Sequence, residues 1–438
     1  MKRASIQHAV LLVGLAASFA GAAEIPKAPV PSSPYIGVVY RYADAMIERG
    51  RDTYGSQKTG LFLSALDRST MSPLTNRPTA PEGIRESERV TPEGTPLAGA
   101  NPHHDENLLR LLYMLSELSG KPKYRDAADA ELKWLLQNAG GLTAWDVLKD
   151  EPLGNSSHES FRPWMLWDRC FDLVPEAGAK LVKSVGVLRG KSARETGFHL
   201  RTCAVAQART RDQQLARPIE EWMKSVDDHT AMSKSTVAEM LSLAIDCDGA
   251  AHRVAEPLGA RLRALANRID ETFCAMPHDV EASGGFITER TAGAERSALW
   301  KPGTKTTAQF GMLCVSRYDN TGDTSYRKLV HDAADAYLNS LPQENDDTWP
   351  STFGHAISLE LAAWRSTANA RYLTRARALA DFAVQRFFDA GPLPRASLIS
   401  SHYETITGAD TLALALAELH LQVLHITAVR CPSNTIDR

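Results

Sequence analysis

The stretch that decides the fold is TGDTSYRKLVHDAADAYL, residues 321–338. It opens with a turn signal, places an aromatic residue shortly afterwards, and continues as an alanine-rich helix. The same plan recurs in SGKPKYRDAADAEL (119–132) and TANARYLTRARALAD (367–381). A repeated unit of this kind predicts an architecture of stacked helical hairpins. Three tyrosines occupy the aromatic position and are predicted to plug the helix–helix corners: Tyr124, Tyr326 and Tyr372.

Apolar residues recur at helical spacing along most of the chain, whereas alternating Val, Ile and Thr are scarce. ENLLRLLYMLSEL (106–118) repeats at i, i+3, i+4 and i+7, as a helix with one buried face does. The first helices of the pairs are expected near 103–119, 158–173, 196–210, 234–247, 306–320, 355–367 and 408–427. The second helices are expected near 34–50, 122–138, 176–189, 212–225, 249–274, 323–340 and 369–388. The prediction is an all-α, single-domain (α/α)7 toroid, with (α/α)6 as the alternative if one short pair is miscounted.

The first 22 residues have the pattern of a secretory signal peptide. Lys2 and Arg3 precede an apolar run that ends in the small residues Ala20, Gly21 and Ala22. The toroid domain is therefore expected to comprise residues 23–438. We expect an exported protein, located in the periplasm or secreted.

Charge and cysteine content exclude several classes of protein. The formal net charge of −3 provides no basic field for nucleic acid. The six cysteines form no CxxC pair, which argues against a structural zinc site. The chain also lacks an HExxH motif and an acidic calcium loop, so neither a metal nor a cofactor is expected.

The connections between the predicted helices are unequal in length. Those from a first to a second helix are short, whereas those from a second to the next first helix run to some fifty residues. Long loops in compact domains tend to be functional, and these all emerge where the inner helices begin. They carry the candidate site residues His104, His158, Glu159, Arg194, His199, Arg201, Arg290, Trp300, Trp349, His355, Arg395, His402 and Tyr403.

A rim rich in arginine, histidine, tyrosine and tryptophan suits an anionic sugar polymer. Tryptophan stacks on sugar rings, and arginine forms bidentate hydrogen bonds with carboxylates. β-Elimination of a uronic acid polymer requires a neutralised C6 carboxylate, a base for the C5 proton and an acid for O4. Glycoside hydrolysis would instead require two carboxylates across the cleft. The candidates for that pair are Asp105, Glu159, Glu195, Asp346 and Asp347.

Four stretches of the chain, YGSQKTGLFLSALD, SHESFRPWMLWD, ETGFHLRT and LPRASLISSHYETITGADTL, resemble exported bacterial polysaccharide lyases with (α/α) toroid folds. The most similar family is polysaccharide lyase family 38, which contains alginate and glucuronan lyases with an (α/α)7 barrel. The resemblance implies a His/Tyr pair assisted by a charge-neutralising residue.

Tyr403 is the preferred acid for O4, and it could also serve as the base. His402 and Arg395 would bind the substrate carboxylate or lower the pKa of the tyrosine. His199 is the preferred histidine, one helical turn inside its loop and facing the bore, followed by His158 and His355. The other candidates would bind substrate. The alternatives to a lyase are a glycoside hydrolase, a sugar epimerase and a non-catalytic protein that binds acidic glycans.

Overall fold

The computed structural model describes residues 33–139, 142–153, 164–176, 179, 192–227, 235–290, 295–303 and 305–434. The predicted signal peptide lies outside these residues, as do His158, Glu159 and most of the second helix expected near 176–189. The described residues belong to one compact unit.

The described residues contain fourteen α-helices and five very short strands. Seven helices form an inner ring: α2 (Pro102–Ser119), α4 (Trp167–Leu173), α5 (Ala193–Thr210), α7 (Val237–Ala251), α10 (Thr307–Thr321), α12 (Pro350–Thr367) and α14 (Ala409–Val423). Six form an outer layer: α1 (Pro34–Arg49), α3 (Pro122–Asn138), α6 (Ala216–Asp227), α8 (Leu258–Cys274), α11 (Thr324–Tyr337) and α13 (Ala370–Phe387). The short helix α9 (Val280–Ser283) lies in the connection from α8 to α10.

The inner helices pack on one another in chain order, and the last returns to the first. Helix α5 packs on α7, α7 on α10, α10 on α12, α12 on α14, and α14 on α2. Helix α4 packs on α5, and Glu106 of α2 accepts a hydrogen bond from the backbone of Met165, two residues before α4 begins. Helix α1 packs against α14 and so completes the last pair. The prediction of an (α/α) toroid is confirmed, and the inner ring follows the count of seven pairs rather than six.

The tight corners lie at the ends of the inner helices. Residues in the left-handed backbone region end four of them and lead directly toward an outer helix. They are Gly120, Arg211, Gly322 and Ala368, with φ between 54° and 71°. This conformation lets the chain reverse within a few residues and satisfies the last carbonyls of the helix. The short connections thereby leave all the long ones at the opposite rim.

The three repeated tyrosines are buried at the corners, as predicted, and each also binds a carboxylate on the preceding outer helix. The hydroxyl of Tyr326 donates to Asp270 at 2.6 Å, and that of Tyr372 donates to Asp335 at 2.7 Å. Tyr124 lies close to Asp44 of α1, and this carboxylate contributes, after burial, to a raised pKa of the phenol. Each tyrosine therefore joins two neighbouring outer helices, in addition to filling space.

The five strands lie in the long connections. Strand β1 (Ala65–Leu66) pairs antiparallel with β5 (Tyr403–Glu404), with Ala65 opposite Glu404. Strands β2 (Gly99–Ala100), β3 (Ala144–Asp146) and β4 (Glu151–Leu153) form a second antiparallel sheet. The first sheet ties the connection before α2 to the connection before α14, which is more than 300 residues away in sequence.

All six cysteines are free thiols, and four of them are buried. Five lie on helices, where a free cysteine behaves as a small apolar residue. Among the helices of the described residues, none is long and apolar enough to span a bilayer.

Candidate active site

A cleft of about 500 Å³ opens where four inner helices begin. Its lining includes residues from the first turns or caps of α5, α7, α10 and α12, together with residues from the long loops. Helix N-termini carry a partial positive charge. The backbone at this rim therefore favours an anionic ligand before any side chain is considered.

The charged side chains that line the cleft reinforce this preference. The lining contains four basic side chains, from Arg85, Arg194, Lys301 and Lys305, and two carboxylates, from Glu88 and Glu239. The four cations outnumber the two anions, so the lining has a net positive charge. Clefts lined predominantly by one sign of charge concentrate ligands of the opposite sign.

Arg194 lies in the first turn of α5 and is half-buried. Burial lowers the pKa of Arg194, whereas the nearby Glu239, Glu195 and Glu88 act in the opposite direction. Guanidinium groups keep their proton in proteins, so the side chain stays cationic. A partly desolvated guanidinium is well suited to bind the carboxylate of a ligand.

One side of the cleft is formed by residues 82–89, which we call the wall segment. Gly83, Ile84, Arg85 and Glu88 line the cleft from this segment. Gly83 packs directly on Gly303, which also lines the cleft: a Cβ at Gly83 would lie 2.5 Å from the Cα of Gly303. Both glycines have positive φ, so the contact requires residues without side chains.

The wall segment is anchored at both ends. At one end, the backbone N–H of Glu82 donates to Asp347 at 2.7 Å, and Trp349 Nε1 donates to the Glu82 carbonyl at 3.0 Å. At the other end, Arg89 binds both carboxylate oxygens of Glu404, at 2.9 and 2.8 Å. The wall segment is thus held by the connections that precede α12 and α14.

Of the thirteen candidates predicted from sequence, Arg194 and Trp349 line the cleft. Nine others lie elsewhere in the structure. His158 and Glu159 are outside the described residues. The predictions for these two residues stay open.

Tyr403 is not at the cleft. Its ring is fully buried, and its hydroxyl lies 3.0 Å from that of Tyr42 on α1. Burial, with Tyr42 and Asp105 nearby, raises the pKa of Tyr403 well above the ordinary phenol value. The expectation that cations lower this pKa is wrong, because the charged groups that act on the hydroxyl are carboxylates. A buried phenol with a raised pKa is poorly placed to exchange protons with substrate and solvent.

His199 faces the outer layer rather than the bore. Its ring stacks on Trp222 of α6, with ring centroids 4.2 Å apart, and it has no exposed surface. Burial lowers the pKa of His199 to about 4, so the ring is neutral at neutral pH. The predicted orientation was wrong because both faces of an inner helix are apolar, which leaves the bore-facing side undefined in the sequence.

His402 and Arg395 bind neighbouring parts of the protein instead of lining the cleft. Nε2 of His402 lies 2.8 Å from the Glu404 carboxylate, and the ring is buried. Arg395 donates to the carbonyl of Leu398 at 3.1 Å and lies 3.6 Å from Asp389. Both side chains organise the connection before α14 from within.

The remaining candidates are also displaced from the cleft lining. Trp300 is buried and donates from Nε1 to Ser340 at 2.8 Å, so it is a core residue rather than a platform for sugar rings. Arg201 is paired with Asp246 at 2.7 Å. The last three lie as follows: His104 is buried with Nε2 3.4 Å from the Asn101 side chain, His355 is buried on α12, and Arg290 is exposed in the connection before α10.

The sequence interpretation missed Arg85, Glu88, Glu239 and Lys301 as cleft residues. A signal was present for one of them, because Thr236 and Glu239 form a capping box that marks the start of α7 at the rim. The run IRESER (84–89) is a charge-rich part of the longest loop. Nothing in the sequence indicates that it reaches the connections before α10 and α12.

A larger groove of about 850 Å³ lies between α9, α11 and the end of α12. Its lining carries three carboxylates (Glu281, Asp332, Asp335) against Arg327 and Lys328, so it has no excess of positive charge. It takes no residue from the first turns of the inner helices, so we do not assign the active site to it. Within the part of the chain that the structure describes, no group of three His, Cys, Asp or Glu side chains is placed to hold a metal ion.

No family model matches this chain. Among solved structures, cellobiose 2-epimerase from Bacillus thermoamylovorans B4167 is similar with a TM-score of 0.50 and 10% identity, over 88% of this chain and 99% of that one. Cellobiose 2-epimerase from Spirochaeta thermophila DSM 6192 has a TM-score of 0.48 and 12% identity, over 89% and 98%. Unsaturated glucuronyl hydrolase from Streptococcus agalactiae has a TM-score of 0.46 and 9% identity, over 88% and 91%. At these identities the similarity concerns the fold alone, and the chain is an (α/α) toroid protein.

Proposed function

We propose that this protein is a polysaccharide lyase that cleaves a β-1,4-linked uronic acid polymer, glucuronan or alginate, by β-elimination. The observation that supports this most directly is the cleft, which is lined by four basic side chains and by the N-termini of four inner helices. A neutral glycan has no group that uses this charge, whereas every residue of a uronic acid polymer carries a carboxylate. The resemblance of the sequence to polysaccharide lyase family 38 points in the same direction.

In this reaction a base removes the proton from C5 of the sugar that carries the carboxylate. The C4–O4 bond then breaks, a C4–C5 double bond forms, and an acid protonates the departing O4. Negative charge accumulates on the C6 carboxylate as the C5 proton leaves. Fixed cations stabilise such developing charge in a site from which water is largely excluded.

Arg194 is the residue we propose to neutralise the C6 carboxylate, because it is half-buried at the cleft and cationic. Arg194→Ala should lower kcat/KM about tenfold or more, since the contact that stabilises the charge developing on the carboxylate is lost. Arg217→Ala is the matched control, because Arg217 is exposed on α6 and is paired with Glu221 of the same helix. Equal kinetics of the two variants would contradict the proposed role of Arg194.

His158 remains our candidate for the base, as predicted from the sequence. Loss of one acid–base group typically costs about 10²–10⁴-fold in rate. We expect His158→Ala to lower kcat by such a factor while substrate binding is kept. Wild-type turnover of this variant would remove His158 from the mechanism.

A second function, glycoside hydrolysis, is favoured by one observation. Glu88 and Glu239 line the same cleft, and hydrolases use two carboxylates as acid and as base or nucleophile. In the structure both carboxylates are engaged: Glu88 contacts Arg85, and Glu239 accepts from the Thr236 backbone at 3.0 Å. Each carboxylate would have to leave its present partner to act on a substrate as the acid, base or nucleophile of a hydrolase.

The decisive experiment is incubation of the purified protein with glucuronan, alginate, polygalacturonate and ulvan. A lyase generates the ultraviolet absorbance of an unsaturated product, in step with new reducing ends. Reducing ends without this absorbance would identify a hydrolase, and binding without turnover would identify a glycan-binding protein. We further propose export of the protein, which N-terminal sequencing of the chain recovered from its host would test.

A further inference from the structure

The connection before α14 (residues 388–408) contacts the residues that anchor the wall segment. Only Ile406 of this connection lines the cleft, although the connection carries His402, Tyr403 and Glu404 close together. Its polar side chains point instead toward the anchors of the wall segment. Ser397 and the backbone of Ile399 both donate to Asp347, which in turn accepts from the Glu82 backbone.

The stronger of the two anchors is a buried chain of three charged or polar side chains. Arg89 binds both oxygens of Glu404, and His402 lies 2.8 Å from one of them. All three residues are at most 8% exposed. Burial by itself would raise the pKa of Glu404, but the hydrogen bonds from His402 and Arg89 outweigh it and lower the pKa. The carboxylate is therefore charged and fully engaged.

Arg89 connects this buried chain to the cleft, because it ends the wall segment. It also donates to the carbonyl of Pro78 at 2.7 Å and lies 3.2 Å from Glu86. Arg85 and Glu88, which face the cleft, lie within four residues of Arg89. A shift of Arg89 would therefore move the charged part of the wall.

We propose that Glu404, oriented by His402, is a positioning residue that fixes the wall segment through Arg89 and so sets the place of Arg85 and Glu88 for an acidic glycan. The ligand in this inference rests on the proposed function. The mechanical part, that Glu404 holds residues 82–89 in place, depends on the contacts alone.

The test uses Glu404→Gln, which keeps the shape of the side chain and removes its charge. Glu418→Gln is the matched control, because it removes the partner of Arg365 at the far ends of α12 and α14. We expect faster amide hydrogen exchange in residues 82–89 for Glu404→Gln alone. We also expect KM for glucuronan or alginate to rise about tenfold, with kcat much less affected, because the wall residues bind the substrate and its transition state alike.

Removal of one partner from a buried ion pair strongly destabilises proteins, so a second variant guards against misfolding. Arg89→Lys keeps the charge near Glu404 but loses the two-pronged contact. It should give exchange rates and KM between those of the wild type and Glu404→Gln.

Two results would overturn the inference. Exchange of residues 82–89 that is unchanged in folded Glu404→Gln and Arg89→Lys would show that Glu404 does not hold the wall. Faster exchange with unchanged KM would show that the wall does not position substrate. If the wild type neither binds nor cleaves an acidic glycan, the proposed function fails, and the exchange measurement by itself decides whether Glu404 holds the wall segment.

Discussion

The carboxyl group of Glu360 should make the stability of this protein fall as pH rises. Glu360 lies on α12, has no exposed surface, and neither of its carboxyl oxygens has a hydrogen-bond partner in the described residues. Burial raises the pKa of Glu360 from 4.5 to about 9, despite an opposing effect from Arg375. The folded protein therefore keeps this carboxyl protonated at neutral pH, whereas the unfolded chain ionises it.

The size of the effect follows from linkage between proton binding and folding. Between the unfolded and folded pKa values, the folded state holds one more proton than the unfolded state. The free energy of unfolding then falls by about 1.4 kcal/mol per pH unit. From pH 5.5 to pH 7.5, Glu360 should remove about 2.7 kcal/mol of stability. Because the pKa is raised in the folded state, the contribution of Glu360 to stability is complete below pH 4.5 and is lost as pH approaches 9.

Glu360→Gln isolates this contribution, because the amide has nearly the same shape and does not ionise. The cost of burying the amide does not depend on pH, so it shifts the whole curve without changing its slope. Urea unfolding of both proteins at pH 5.5, 6.5 and 7.5 should show the variant gaining about 2.7 kcal/mol relative to the wild type. Other titrating groups are common to both proteins and cancel in the difference.

Glu344→Gln is the control, since Glu344 is exposed in the connection before α12. Its stability should run parallel to that of the wild type across this pH range. Parallel curves for Glu360→Gln as well would refute the reasoning, because they would show that Glu360 has the same pKa in both states.

Three further outcomes are expected. Ala368→Gly should stabilise the protein by about 0.5–1 kcal/mol in thermal unfolding, because Ala368 has φ 54°. Gly322→Ala should destabilise it by about 1 kcal/mol through backbone strain alone, because no atom lies within 4 Å of the added Cβ. Tyr403→Phe should lower stability by about 1–2 kcal/mol through the lost contact with Tyr42, while the activity of the folded fraction is kept; a large loss of kcat would restore Tyr403 as a catalytic candidate. Dialysis against a chelator should leave activity intact, and a loss reversed by calcium or zinc would show that carboxylates of the rim hold a metal.

The ring of paired helices could be predicted from sequence because its information is local. The apolar spacing of residues 106–118 defines a helix within four turns, and the repeated unit at 321–338 defines its corner. Unequal loop lengths then place the long connections at one rim, where the structure has the cleft. Arg194 and Trp349 were found by this route, because each adjoins the start of an inner helix.

What a side chain faces was decided only by tertiary structure. Inner helices are packed on both sides, so the apolar period of α5 could not indicate that His199 stacks outward on Trp222. The loop that carries His402 and Tyr403 looked like a cleft floor, because polar and aromatic residues in a loop are equally consistent with exposure and with a buried network.

The residues of the cleft wall could not be predicted from sequence either, because their positions depend on contacts between distant parts of the chain. Arg85 and Glu88 reach the cleft because Arg89 binds Glu404, 315 residues further along the chain, and because Gly83 meets Gly303. Helix periodicity and capping signals extend over one or two turns, so the sequence alone determined a toroid with a charged rim. Which charges line the cleft was determined by contacts between loops that only the closed ring brings together.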